Sequence, residues 1–391
     1  MASAPHPPGS ATSRSPAPST ATGEAGAVIT CSTSDAFGAW LREADGSVVL
    51  TTYQAGKVAV LAWDAALAQV SLLLRQFDKP MGLAADANGQ ALALATRHSV
   101  IRLANAPLLA HAYLESAPGK YDALYLPRTA HLTGDLNVHD LAYDGAGALW
   151  MVNTRFCCLA QPSDAHNFVP RWKPPFISQL APEDRCHLNG LAMVDGRPRY
   201  VTCLGTTDTA GGWRADKAAG GVIVDVASDE ILVRGLSMPH SPRWHEGQLW
   251  VLNSGAGELW SVDVKSGRHV VVCALPGYLR GLAFAGPFAL VGMCQVRERH
   301  IFGGLPVQQR CAKLVCGVAV IDLRTGAEAA RFEFTSGVQE LYEVLFLPGV
   351  RRPMILNTEK DAAREAIAAP EFSYWLRPGN EKPPEPSSHD R

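Results

Sequence analysis

The sequence has no surplus of charge of either sign: 35 Lys and Arg stand against 37 Asp and Glu, a formal net charge of −2 over 391 residues. Nucleic-acid recognition needs a dense basic face, so no nucleic-acid partner is expected. Apolar runs of the roughly 18 residues that cross a bilayer as a helix are also missing, and no membrane partner is expected. Residues 1–26 are Ala, Ser, Pro and Thr with scattered Gly and hold no apolar stretch of the secretory kind. That composition predicts a disordered arm, and residues 378–391 predict a disordered tail on the same grounds. The nine cysteines are an odd number; Cys157 and Cys158 are adjacent, and Cys311 and Cys316 do not have a zinc-finger spacing. They read as reduced, mostly buried thiols, which places the protein in the cytoplasm. No G-x-x-x-x-G-K-[ST] loop and no G-x-S-x-G elbow occurs, which disfavours a P-loop phosphate site and a serine hydrolase of the common type.

What the sequence does contain is apolar bulk, 47% of residues, and many turn formers, 35 Gly and 27 Pro. The first can bury a large core and the second divides the chain into short strands. One pattern recurs along it: Pro80-Met81-Gly82-Leu83-Ala84, Val138-His139-Asp140-Leu141-Ala142, Leu188-Asn189-Gly190-Leu191-Ala192, Pro239-His240-Ser241-Pro242-Arg243, Leu279-Arg280-Gly281-Leu282-Ala283 and Leu341-Tyr342-Glu343-Val344-Leu345. Successive units are 40 to 62 residues apart. Some 13 to 15 residues into each comes a second apolar strand, ending at Ala95, Asn153, Cys203, Asn253, Met293 and Asn357. Third and fourth strands follow in several units. Four short antiparallel strands per unit of this length predict an all-β fold, a β-propeller.

A further unit with the same rhythm precedes these, at 37–43, 48–53, 58–63 and 70–76. Seven starts favour seven blades, with six as the alternative. A single propeller domain is expected over residues 27–377, its ring closed with help from 372–375 or 28–31. Closure hides strand edges that a lone blade would expose.

In a propeller the first strand of each blade lines the central channel. The second residue of each unit then falls at one mouth: Met81, His139, Asn189, His240, Arg280 and Tyr342. The ends of the second strands, Asn153, Asn253 and Asn357, share that rim. So do long loops at 113–137, 161–187, 204–221 and 294–317, which carry Asp184, Arg185, His187, Asp208, Trp213, Arg214 and Arg297 to His300. Long loops in a compact domain commonly carry function.

The site expected there holds His139, His240 and Glu343 as catalytic groups or as the ligands of a divalent metal, with Asp140 an alternative carboxylate. Two imidazoles and a carboxylate suit zinc, iron or manganese. Arg280 and Arg214 are expected to hold an anion, and Asn189, Trp213, Tyr342 and Asn253 to complete the binding surface. Glu298, Glu340 and Asp208 are further candidate bases. Each has a plainer reading: histidines that fill the channel, an Arg280 ion-paired to Glu343 or Glu340, asparagines that satisfy turns, and a Trp213 packed on the rim instead of forming a flap.

The motifs around His139, His187 to Ala192, Trp213-Arg214, Pro239 to Trp244 and Pro276 to Leu282 resemble those of an uncharacterised bacterial family of conserved hypothetical proteins, over about residues 30–360. The resemblance implies no activity. Asn189-Gly190-Leu191-Ala192 is more distantly similar to the first-strand motif of gluconolactonase, strictosidine synthase-like and NHL-repeat propellers. In the lactonases an Asn so placed helps hold a divalent cation; here His139, His240 and Arg280 stand at the neighbouring positions. The expectation is a cytoplasmic enzyme, a metal-dependent hydrolase of lactonase type or a non-haem metal enzyme, acting on a small polar or anionic molecule. The alternative is a non-catalytic propeller that binds a peptide or metabolite.

Overall fold

The computed structural model describes residues 28–295 and 303–377. The expected disordered arm and tail, and Arg297, Glu298, Arg299 and His300, lie outside the described residues. Six antiparallel sheets form the fold, each led by a strand whose neighbours are the leading strands of the sheets before and after it. Blade 1 runs outward as Val344–Pro348, Gly46–Thr52, Lys57–Asp64 and Gln69–Gln76. Blade 2 is Leu83–Ala85, Ala91–Ala95, Ser99–Asn105 and Ala123–Leu132, with Pro353–Ile355 added in parallel at its outer edge. Blade 3 is Val138–Tyr143, Leu149–Asn153, Cys158–Gln161 and Val169–Trp172. Blade 4 is Leu188–Val194, Arg197–Cys203, Gly221–Asp225 and Glu230–Leu236. Blade 5 is His240–His245, Gln248–Asn253, Glu258–Val262 and His269–Ala274. Blade 6 is Tyr278–Ala285, Phe288–Cys294, Cys316–Asp322 and Ala327–Ser336, with Thr30–Thr33 as a fifth, outermost strand.

The favoured count of seven therefore gives way to six. Two of the seven starts are halves of one blade: the segment after Leu341 supplies the inner strand of the sheet that residues 46–76 complete, Val49 pairing with Leu345 and Leu50 with Val344. The ring closes by this pairing, which covers the inner edge of Gly46–Thr52. Residues 37–43, expected as a strand, belong to the helix Asp35–Glu43, which buries Phe37, Trp40 and Leu41 against blade 6 and blade 1. Ser373–Trp375 makes a separate hairpin with Ala366–Ala368. The long segments before blades 3 and 4 are in part strand, since they contain the outer strands of blades 2 and 3.

The third residue of the repeat explains how the hub packs. Around the ring it reads Gly82, Asp140, Gly190, Ser241, Gly281, Glu343, so that glycine alternates with a polar side chain. A Cβ on Gly190 would collide with the Pro242 ring and lie 2.7 Å from Thr202 Oγ1. At Gly281, φ is +79° and a Cβ would lie 2.5 Å from the Val344 nitrogen. The room left by glycine lets the polar residues cap the next inner strand. Asp140 Oδ2 accepts from Leu191 N at 3.0 Å, and Ser241 Oγ accepts from Gly281 N at 3.0 Å. Arg243 of blade 5 then spans the hub to Asp140 of blade 3 (2.7 Å) and Glu343 of blade 1 (2.9 Å). Both carboxylates are buried.

Candidate functional site

Three imidazoles converge at one mouth of the channel: His139 of blade 3, His240 of blade 5, and His187 just before the inner strand of blade 4. All three are buried, and one ring nitrogen from each lies within 4.8 Å of the others. The His139 and His187 ring centroids are 4.7 Å apart, those of His139 and His240 6.4 Å. The local backbone arranges this. Asn137 and Met238, each two residues before its histidine, adopt left-handed φ of 54° and 46°, a region non-glycine residues seldom occupy. Their carbonyls lie 2.9 Å from Nδ1 of His139 and His240 respectively. Lys79 and His187 occupy the same repeat position in blades 2 and 4 with φ of 54° and 51°. In blade 4 it is the left-handed residue itself that carries the imidazole.

Hydrogen bonding fixes the tautomers. A backbone carbonyl only accepts, so Nδ1 of His139 and of His240 carries the proton. Thr154 gives its own hydroxyl proton to Leu188 O at 2.6 Å, and its oxygen therefore accepts a second contact from His139 Nδ1 at 2.8 Å. His187 Nδ1 meets Asp184 Oδ1 at 2.8 Å, a carboxylate behind an imidazole. Nε2 of His139 and of His240 is left with a lone pair. Burial lowers His139 well below the ordinary imidazole value, helped by His187 and Arg280, while the Asn137 carbonyl opposes the shift. Burial and then Arg280 do the same for His240. Both are neutral at pH 7. Neutral imidazoles with the far nitrogen anchored are the form in which histidine binds metals.

The cavity beside them has a volume of about 250 Å³. Tyr53, His139, His187, Trp213, Arg214, Met238, Arg280, Glu340 and Tyr342 are among its walls. The Arg280 guanidinium lies over the Tyr342 ring at 4.6 Å and the Tyr278 ring at 5.7 Å. Trp213 is buried on the short 3₁₀ turn Gly212–Asp216, donates Nε1 to Asp184 Oδ2 at 3.0 Å and packs 4.6 Å from His187. It is a fixed wall, not a flap. Arg214 covers its outer face at 4.3 Å.

Of the expected residues, the structure thus brings His139, Arg280, Tyr342, Trp213 and Arg214 to one cavity, with His240 beside His139 behind its wall. Glu343 is not with them. Its carboxylate is bound to Arg243 and to Val344 N at 3.0 Å, and burial pushes it up to about 7 with Asp140 adding to the shift against Arg243. In the expected set of two histidines and Glu343 the third member is therefore replaced by His187. Asp140 likewise serves Arg243 and the backbone of Leu141. Asn189 spans to blade 5, donating to Pro239 O at 2.9 Å and accepting from Thr202 Oγ1 at 2.6 Å. Asn253 accepts from Ser237 N at 2.7 Å and donates to Glu258 at 3.0 Å. Neither lines the cavity. Asp208 is bound to Arg185 at 2.8 Å, and Asn153 accepts from Phe156 N at 3.1 Å.

Sequence reasoning put His187 and Asp184 on a rim loop but gave neither a role in the site. The usable signal was positional: His187 precedes Asn189 by two residues, as Asn137 precedes His139. Tyr53, on the turn after an inner-blade strand, gave no signal; it stacks on Tyr342 at 5.3 Å.

No helix among the described residues is long and apolar enough to cross a membrane. No curated protein is significantly similar in sequence to this chain. Among solved structures, a chain of a nidogen/laminin complex superimposes with a TM-score of 0.49 at 13% identity, over 78% of this chain and 99% of the other. Virginiamycin B lyase from Staphylococcus aureus superimposes with a TM-score of 0.38 at 12% identity, over 64% of this chain and 74% of the other. Residues 35–356 match the family described as "Domain of unknown function (DUF4915)", and the chain belongs to that family.

Proposed function

We propose that His139, His187 and His240 bind one divalent transition metal and that the protein is a metal-dependent enzyme acting on a small polar molecule in the adjoining cavity. The observation that carries this is the convergence of three buried imidazoles, each held at Nδ1, with one ring nitrogen of each within 4.8 Å of the others. Three imidazoles suit zinc, iron, copper or nickel, and leave coordination positions for water or a substrate oxygen. A metal held there would supply Lewis acidity and a water ionised near neutral pH. The chain's own residues position the reaction: the walls of Trp213 and Tyr342 exclude bulk water, and Arg280 offers a cation to a polar substrate. Arg280 also raises the cost of a bare dication nearby, a cost that a bound anion offsets. All nine cysteines are free thiols, which supports a reducing, cytoplasmic setting.

Elemental analysis of the purified protein tests the metal. One equivalent is expected, lost in the His139→Ala, His240→Ala double variant. Metal-free protein whose small-molecule affinity survives that substitution would instead make this a non-catalytic binding propeller.

A further inference from the structure

Two residues that line this cavity carry buried polar atoms with no hydrogen-bond partner, Arg280 Nε and Tyr342 Oη, and His240 Nε2, next to His139, is a third. Buried polar atoms are nearly always paired, so three orphans at one place mark a missing ligand. His240 Nε2 is a lone pair and belongs to the metal reading above. The other two are donors, and they are neighbours, because Arg280 lies over the Tyr342 ring. Among the described residues Arg280 makes no close ion pair; its near neighbours are the Tyr342 and Tyr278 rings, the latter hydrogen-bonded to it, with Glu340 acting on it from farther off. One guanidinium nitrogen, Arg280 Nε, and the Tyr342 hydroxyl beside it are left without acceptors, an arrangement suited to an anion.

The charge of the walls limits which anion. Asp184 is taken up by His187 and by the half-exposed Arg214 at the rim, which leaves one guanidinium, that of Arg280, beside the orphaned Tyr342 hydroxyl. A planar carboxylate matches the guanidinium fork with a single charge. We propose that the ligand of this site is a small monocarboxylate, gripped by Arg280 and Tyr342, with a second oxygen turned toward the three histidines. Its second half rests on the metal reading; its first half does not.

Calorimetric titration of the zinc-loaded and the metal-free protein with lactate, its neutral analogue lactamide and inorganic phosphate tests this. Lactate is expected to bind saturably, with lactamide and phosphate at least about tenfold weaker. Arg280→Gln is expected to weaken lactate by about tenfold or more while zinc content is unchanged. Tyr342→Phe, which deletes one hydroxyl, is expected to weaken it several-fold and keeps the test open if Arg280→Gln does not fold. Zinc uptake with no lactate binding, equal binding of phosphate or lactamide, or indifference to both substitutions would overturn the assignment. Lactate binding that needs Arg280 in a protein that takes up no zinc would leave the carboxylate assignment standing and remove the metal.

Discussion

The imidazole of His187 stands edge-on to that of His139, ring planes at 86° and centroids 4.7 Å apart, although the two side chains leave the backbone from different repeat positions. Two rings in that relation bring ring nitrogens close together without stacking. Asp184 maintains it, since its carboxylate holds His187 Nδ1 while also taking Trp213 Nε1.

Asp184→Ala is therefore expected to lower metal affinity about 10- to 100-fold, the usual cost of losing the group behind a ligating histidine. Competition with a chromophoric chelator reads this directly, and the far-ultraviolet circular dichroism should be unchanged. Asp184→Asn, which still accepts from Nδ1–H, is expected to recover part of the loss.

Acid should destabilise the metal-free protein in a defined range. Burial keeps His139 and His240 neutral below the ordinary imidazole pKa near 6.5, so below that pH the unfolded chain binds more protons than the folded one. Stability then rises with pH through the window between the depressed values and about 6.5, and is lost as pH falls through it. Urea denaturation at pH 7.5, 6.5 and 5.5 checks the sign, and the His139→Asn, His240→Asn double variant should show a flatter slope.

Arg243→Ala is expected to cost about 3–5 kcal/mol, because it strands two buried carboxylates, Asp140 and Glu343, at the hub. Thermal unfolding measures the loss, and adding Glu343→Gln to the variant should restore part of it. Metal content should follow the folded fraction, since none of the three residues reaches the histidines.

Gly190→Ala tests the alternation around the hub. The added methyl meets the Pro242 ring and Thr202, and overpacking of this kind costs about 1–3 kcal/mol. At Gly147, where a Cβ meets nothing, the same change pays only for the positive φ of 80°. A larger drop in unfolding midpoint for Gly190→Ala than for Gly147→Ala, despite the backbone strain at Gly147, would report the close approach of blades 4 and 5.

The repeat was legible because a blade must place apolar strands at regular intervals, and six of its inner strands follow the motif from Met81 to Tyr342. The count was harder to read. Val344–Pro348 pairs with Gly46–Thr52 across nearly the whole chain, and a tandem pattern cannot show that its first and last units are one sheet. His139, His240 and Arg280 were legible as mouth residues for the same reason that the strands were. Glu343 was misplaced because alternation along a strand turns the next side chain toward the hub, where Arg243 awaits it. His187, seen only as a rim-loop residue, was left out of the ligand set because its place depends on a left-handed φ, which the sequence does not display in a non-glycine residue.

X-ray absorption at the metal edge of the cobalt- or zinc-loaded protein tests the central claim most directly. The account predicts one metal per chain with three imidazole nitrogens at about 2.0–2.1 Å and light oxygen scatterers completing the shell, the imidazole count falling in His187→Ala. A first shell dominated by carboxylate oxygen or sulfur, or one indifferent to His187, would contradict it.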